Sequence, residues 1–202
     1  LTEMYLKEKK IDRIISHYEN FLNRNPDFLL GYMTLGYIYD QQGQKEKAEE
    51  YYRKALKVKS DFAPAANNLA WILAESGNKI NEAFRLAQIA KEIMPDDPTV
   101  LDTLGWTYYL MGYFGMATTI WEDSVSKRPD NTISNYHLGK AFYKYEDYEN
   151  AKKYLEKALH IDPVFSEADD ARHVLEEILA MGTGNTPQSP KQTPASQPAN
   201  IR

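Results

Sequence analysis

A leucine followed by a small residue returns along this chain with a period of 34 or 35 residues. The two columns read Leu35, Leu69, Leu104 and Leu138, and then Gly36, Ala70, Gly105 and Gly139. Two more columns of small residues keep the same period: Ala48, Ala83, Ala117 and Ala151, and then Ala55, Ala90, Ser124 and Ala158. Such a period indicates a stack of equivalent helical units, in which each unit packs on its neighbours.

Each period divides into two helical patterns with a turn between them. The turns are predicted at Gly43, Gly77, Gly112 and Glu146. Apolar residues three and four positions apart give each helix one buried stripe. A glycine in the middle of a helix is unfavourable by about 1 kcal/mol relative to alanine. We therefore predict that Gly105 lies where two helices approach closely, because a larger side chain there would overpack the contact.

The pattern Leu-Gly-x-x-Tyr, followed by Ala, an aromatic residue, Ala and Pro, resembles the tetratricopeptide repeat. This resemblance implies an all-α fold, a right-handed α-solenoid of tandem helix-turn-helix repeats. The repeats are expected at 29–62, 63–97, 98–131 and 132–165, after a partial repeat at 1–28 with a shortened first helix. The stretches NNLAW and PDDPTVLDTLGW also resemble repeats of bacterial envelope and exopolysaccharide-associated proteins. That likeness favours a periplasmic or membrane-tethered location over the cytoplasm, although the compartment stays unknown.

The C-terminal part changes in composition. Residues 166–181 read as a helix that covers the last repeat, with Ser166 and Asp169 as a capping pair. The tetratricopeptide domain is therefore expected to span 1–181. Residues 182–202 are rich in Pro, Ser, Thr and Gln and poor in large apolar side chains, which predicts a disordered tail.

Composition and motifs argue against several function classes. The net charge of −5 disfavours nucleic acid as a partner, since its binders carry basic surfaces. The chain has no cysteine, and its four histidines have no metal-ligand spacing. No apolar run approaches the roughly 18 residues of a membrane span. No phosphate loop or nucleophile motif is present. We expect a non-enzymatic protein without metal or cofactor.

The resemblance instead directs attention to the inner face of each first helix, which forms the binding groove of such solenoids. Helical spacing places there a set of aromatic and amide side chains that suits a peptide or helix of a partner protein. The predicted groove residues are Tyr37, Asn67, Asn68, Trp71, Asp102, Trp106, Tyr109, Tyr136, Lys140 and Tyr143. An alternative is that Trp71 and Trp106 only fill the space between successive first helices.

The charge distribution of the groove and the incomplete first repeat leave further alternatives for the partner and the function. The groove is expected to be acidic early, at Asp40, Glu75 and Asp102, and basic late, at Lys140 and Lys144. A clamp for C-terminal carboxylates fits poorly, because the sequence matches its pattern at Asn68 alone. The incomplete first repeat leaves open a homo-oligomer through residues 1–28. It also leaves open a second function, as the regulatory or recruiting segment of a larger enzyme or a polysaccharide export assembly.

Overall fold

A computed structural model describes the backbone of residues 2–182 and the side chains of residues 10–181. Its helices form two compact units, Leu1–Pro95 and Asp96–Arg202. Unit 1 contains α1 (Thr2–Arg24), α2 (Leu29–Gln41), α3 (Lys45–Val58), α4 (Ala63–Ser76) and α5 (Ile80–Ile93). Helices α2 and α3 pack as one antiparallel pair and α4 and α5 as another, while α1 packs against α2.

Unit 2 contains α6 (Pro98–Leu110), α7 (Phe114–Lys127), α8 (Thr132–Lys144), α9 (Tyr148–Ile161) and α10 (Ala168–Gly182). Helix α6 pairs with α7 and α8 with α9, and α10 packs against α8 and α9. We call α2, α4, α6 and α8 the first helices of the four pairs, and their partners the second helices. Within unit 2, α6 and α8 also contact each other directly.

The small-residue columns lie inside the helix pairs, where the backbones come closest. A Cβ atom on Gly36 would lie 2.5 Å from Cε1 of Tyr52, and one on Gly105 would lie 2.6 Å from Cε2 of Trp121. Real side chains do not tolerate such distances without a shift of the neighbouring group. The close approach predicted for Gly105 is therefore present, and the partner that requires it is an aromatic ring of the second helix.

The turns between paired helices use the left-handed backbone region. Gly43, Gly77 and Gly112 have φ angles of 73°, 70° and 80°, where glycine is free of strain. The fourth turn places Glu146 there with a φ of 65°. The same local geometry thus closes all four pairs, as the sequence predicts.

The two ends of the chain differ in detail from the sequence-based expectations. Residues 2–24 form one uninterrupted helix instead of a shortened first helix followed by a second. The segment LKEKKIDRI contains neither glycine nor proline, so no strong helix breaker interrupts the helix there. Helix α10 begins at Ala168, two residues later than expected. The Ser166 hydroxyl donates to the carboxylate of Glu167 instead of forming the predicted cap.

The predicted disordered tail, 182–202, lies outside the described residues except for Gly182, which ends α10. None of the helices in the described part of the chain combines the length and the apolarity that crossing a bilayer requires.

Candidate functional site

In unit 1 the predicted groove residues occupy α2 and α4. Tyr37 on α2 is the most open of them, with 56% of its surface exposed. On α4, Asn67 is buried, whereas Asn68 and Trp71 are half-buried. Asn68 Nδ2 donates a hydrogen bond to the Tyr52 hydroxyl at 3.2 Å, and Asn67 Nδ2 reaches Asn68 Oδ1 at 3.4 Å. The side chain of Asn68 is therefore oriented by a ring of the preceding second helix.

The acidic groups of unit 1 are paired within the unit. Lys45 Nζ lies 2.7 Å from Asp40 Oδ1 and 3.4 Å from Glu75 Oε2. The hydrogen bond to Asp40 raises the pKa of Lys45, so the ammonium remains charged at neutral pH. One lysine from α3 thus offsets both carboxylates, which the sequence assigned to an acidic end of the groove.

In unit 2 a single carboxylate organises the site. Asp102 Oδ1 on α6 accepts a hydrogen bond from Trp121 Nε1 at 2.9 Å and lies 2.8 Å from His137 Nδ1. Because a carboxylate oxygen accepts, the tautomer with Nδ1–H lets His137 donate a hydrogen bond to Asp102 Oδ1. The rings of Trp121 and His137 also contact each other, with centroids 5.1 Å apart. The Asp102 side chain is therefore held between a second helix and the next first helix.

The predicted groove tryptophan stacks on two neighbours. The ring of Trp106 lies nearly parallel to that of Tyr109, at 5.3 Å and 6°, and to that of His137, at 5.2 Å and 25°. Trp106 itself is only partly buried. Burial raises the pKa of Tyr109, whose ring also contacts Phe114 and Trp121. We call Asp102, Trp106, Tyr109 and His137 the Trp106 cluster.

The predicted groove residues of α8 face α10 of the same chain. Tyr136 is buried, and its hydroxyl donates to Asp170 Oδ2 at 2.8 Å. Lys140 Nζ binds the same oxygen at 2.7 Å. Burial raises the pKa of Asp170, but the hydrogen bonds from Lys140 and Tyr136 outweigh it and hold that pKa below its usual range. This part of α8 is thus covered by α10, and its lysine is neutralised.

Tyr143 repeats the arrangement of Tyr136 two helical turns further along α8. Its hydroxyl donates to Glu177 Oε2 at 2.8 Å, and this hydrogen bond raises the pKa of Tyr143. Asp170 and Glu177 lie one period of 34 residues after Tyr136 and Tyr143 in the sequence. Extending the repeat columns into α10 would have found both acceptors.

The structure thus divides the predicted set. Asp102, Trp106 and Tyr109 come together with His137 in the Trp106 cluster, while Tyr136, Lys140 and Tyr143 engage α10. Trp121 also belongs to the site, although it lies outside the set of predicted groove residues. Its signal was the only indole in a column otherwise occupied by Tyr52, Ala87 and Leu155. Within the described residues, no group of three or more His, Asp or Glu side chains has the arrangement of a metal site.

Parts of this sequence are similar to those of known proteins. The sequence profile described as Tetratricopeptide repeat matches residues 31–62 and 133–165. The TPR repeat-containing protein PA4667 of Pseudomonas aeruginosa is 28% identical over 118 residues, which is 58% of this chain and 20% of that protein. The chain therefore matches about a fifth of the length of this curated relative.

Solved structures show the same architecture. The crystal structure of YrrB, a TPR protein with an unusual peptide-binding site, superposes with a TM-score of 0.69 at 19% identity and covers 85% of this chain and 88% of that one. The crystal structure of MamA protein gives a TM-score of 0.67 at 22% identity, over 83% of this chain and 90% of that one. These likenesses confirm the fold class predicted from the sequence.

Proposed function

Because this chain is a tetratricopeptide-repeat protein, we propose that it is a non-enzymatic interaction scaffold that binds a peptide or a helix of a partner protein. The observation that carries this proposal is the Trp106 cluster. Its indole is stacked by Tyr109 and by His137 while it remains partly exposed. A ring held in this way contacts a ligand without losing further side-chain freedom, which is the property of binding hot spots.

The chemistry of the cluster indicates what the ligand offers. An ionised carboxylate has about four acceptor positions, and Asp102 uses two of them for Trp121 and His137. The side chain of Asp102 is 21% exposed, so it can accept a further hydrogen bond from a ligand N–H group. The adjacent rings suit an apolar or aromatic side chain. We therefore expect a ligand segment that presents an apolar side chain next to a backbone amide or a basic donor.

Unit 1 offers a second, simpler contact. Tyr37 on α2 presents a largely exposed ring with a polar end, a side chain that supplies contact area at a low cost in conformational entropy. The peptide-binding site named for YrrB supports a peptide as the ligand class for this fold. The partner itself is to be identified by selection.

The test is selection of peptides from a displayed library on the purified chain, followed by affinity measurement with single variants. We expect Trp106→Ala to weaken the selected peptides by about 2 kcal/mol, roughly 30-fold. The matched control is Ile93→Ala, which removes an exposed apolar side chain from a second helix and should leave affinity unchanged. The thermal melt of both variants, followed by circular dichroism, should remain cooperative.

Two results would contradict this proposal. Full affinity in Trp106→Ala would show that the Trp106 cluster is not part of the binding surface. Loss of the cooperative melt in that variant would instead assign Trp106 to packing between α6 and α8, the alternative that the sequence left open.

A second candidate function is recruitment within a larger enzyme or a polysaccharide export assembly. It is favoured by the length of PA4667, of which this chain matches 20%. Immunoblotting of the source cells with an antibody against this segment would measure the mass of the endogenous protein. A mass far above 23.3 kDa, together with co-purifying transferase or export components, would support recruitment. A mass near that of the chain would support the separate scaffold.

A further inference from the structure

Helix α1 carries an exposed apolar stripe that no described part of the chain covers. Ile14 and Phe21 lie seven residues apart on α1, Phe28 lies in the turn just before α2, and the three are 43%, 40% and 36% exposed. Phe21 and Phe28 contact each other edge to face at 5.1 Å. The opposite side of the helix is already in use, because Ile15 and Leu22 are buried. We call these three exposed side chains the α1 stripe.

The α1 stripe differs from the equivalent positions of the second helices. Counted back by one period of 34, Ile14 and Phe21 correspond to Ala48 and Ala55, which are fully buried against α2. Alanines at these positions let a first helix approach closely. Large side chains there keep an occupying helix at the wider separation of ordinary helix packing, about 10 Å between axes. A helix that covers the stripe is therefore expected to lie farther from α1 than a first helix lies from its second helix.

A basic row runs beside the stripe. Lys10 and His17 precede Ile14 and Phe21 by four positions on α1, and Arg24 follows Phe21 by three, so both helical apolar side chains have basic neighbours on the same face. All three are exposed, and no ion pair of the described residues engages Lys10 or Arg24. The nearest described acid of α1 on its packed side, Glu19, accepts the hydroxyls of Tyr39 and Tyr51 instead.

We propose that the α1 stripe and its basic row bind an amphipathic helix of a partner protein whose apolar face is flanked by acidic side chains. Ile14 and Phe21, seven residues apart on α1, match the anchor spacing of a helix that lies along another helix. An acidic flank complements Lys10 and Arg24, which fixes the orientation of the bound helix and accelerates its association. This surface is separate from the Trp106 cluster and does not depend on the function proposed for it.

Two other occupants fit the surface less well. A two-fold pair of antiparallel α1 helices places the two basic rows side by side, which is unfavourable. A bilayer surface gains affinity from the apolar area inserted into it. Each residue of the stripe is less than half exposed, so the area available for insertion is small.

The test uses the full chain and two labelled synthetic helical peptides with the same leucine stripe, one flanked by glutamates and the other by lysines. Fluorescence anisotropy should show at least about tenfold tighter binding of the glutamate peptide. Ile14→Ser combined with Phe21→Ser should weaken binding of the glutamate peptide by about tenfold or more. Lys10→Glu combined with Arg24→Glu should reverse the preference between the peptides. Val58→Ser, which changes an apolar side chain of similar exposure on α3, and Trp106→Ala should leave both affinities unchanged.

Each contrary result overturns the proposal. Equal binding of the two peptides would show that the partner need not be acidic. Unaltered binding by the serine variant would show that the α1 stripe is not the binding surface. Self-association in sedimentation velocity that Phe21→Ser abolishes would identify a second copy as the occupant. Pelleting with phosphatidylglycerol vesicles that Phe21→Ser abolishes would identify a membrane. Because the altered side chains are exposed, the circular dichroism spectra of these variants should match that of the unaltered chain.

Discussion

In unit 1 the ring of Tyr52 lies behind Gly36, and in unit 2 the indole of Trp121 lies behind Gly105. The two rings occupy the same position of the repeat, and both are fully buried. Their polar ends, however, reach different groups. The Tyr52 hydroxyl accepts from Asn68 Nδ2, whereas Trp121 Nε1 donates to Asp102. One core position therefore fixes an exposed-face residue in each unit, but with hydrogen bonds of opposite sense.

The difference follows from what each ring can do. A phenol both donates and accepts, so it tolerates an amide as its neighbour. An indole only donates, so a buried indole needs an acceptor. Asp102 provides that acceptor in unit 2 and has capacity left for His137, which completes the Trp106 cluster. In the repeat that contains Tyr52, the residue at the position of Asp102 is Met33, which offers no carboxylate. The identity of the core ring thus decides where a polar aromatic cluster can form.

The repeat between them, 63–97, lacks both the ring and the glycine. Ala70 and Ala87 occupy the two positions there, and both are fully buried. Glycine on the first helix therefore accompanies a large side chain on the second, and alanine accompanies a small one. This relation can be tested by exchanging the two residues of a pair.

The largest effect is expected from Gly105→Leu, which places a bulky side chain where a Cβ alone would lie 2.6 Å from Trp121 Cε2. We expect the free energy of unfolding to fall by about 3 kcal/mol or more, measured by urea denaturation. Gly36→Leu should behave in the same way against Tyr52. An unchanged denaturation midpoint in either variant would refute the close approach.

Gly105→Ala in a Trp121→Ala background is the matched control. With the indole absent, the added methyl group meets no ring, and alanine is the better helix residue by about 1 kcal/mol. The double variant should therefore be more stable than Trp121→Ala alone, because it reproduces the pairing of Ala70 with Ala87.

An intermediate effect is expected from Trp121→Phe, which keeps an aromatic ring and removes the N–H group that binds Asp102. Hydrogen bonds to charged groups contribute about 1.5–3 kcal/mol, so we expect a loss of about 2 kcal/mol in the free energy of unfolding. Tyr52→Phe removes a hydrogen bond between neutral groups and should lower it by about 1 kcal/mol. Equal losses of stability in Trp121→Phe and Tyr52→Phe would contradict the expected difference between a charged and a neutral hydrogen-bond partner.

A double-mutant cycle separates the hydrogen bond from the change in ring volume. Trp121→Phe should lose less stability in an Asp102→Asn background than in the unaltered chain, because the amide is a weaker acceptor than the carboxylate. Purely additive effects would show that Asp102 and Trp121 do not act together.

Much of the fold was accessible from the sequence, because the repeat period fixes which residues face each other. The columns of Leu35 and Ala48 predict the buried stripes, and the glycine at position 105 predicts a close approach. The direction of side-chain hydrogen bonds was not accessible. Periodicity assigns a residue to a face of its helix, but it does not say which polar atom of a neighbouring helix lies within 3 Å of it.

The candidate site was therefore predicted only in part. Asp102, Trp106 and Tyr109 were predicted to share one face because of their helical spacing, and all three lie in the Trp106 cluster. Their role in binding stays a prediction. Tyr136 was assigned to the same open face, yet α10 covers it and supplies Asp170 as its acceptor. Sequence patterns describe α10 as a cap over an apolar surface, and they give no indication that it also pairs with polar groups of α8.

The smallest effect concerns pH and distinguishes the two rings, because a phenol titrates and an indole does not. Burial raises the pKa of Tyr52 to about 12 from the ordinary value of 10.0. Below pH 10 the phenol is protonated in the folded and the unfolded chain, and its contribution to stability is fully present. Between pH 10 and 12 the unfolded chain releases the proton first, so that contribution is lost as the pH rises. By pH 11 we expect the unaltered chain to have lost about 1 kcal/mol more than Tyr52→Phe, relative to pH 8.

The other tyrosines are common to both proteins, so their titration cancels in the difference between the two urea denaturation curves. Parallel pH profiles for the two proteins would contradict the burial of the Tyr52 hydroxyl, and with it the contrast between unit 1 and unit 2.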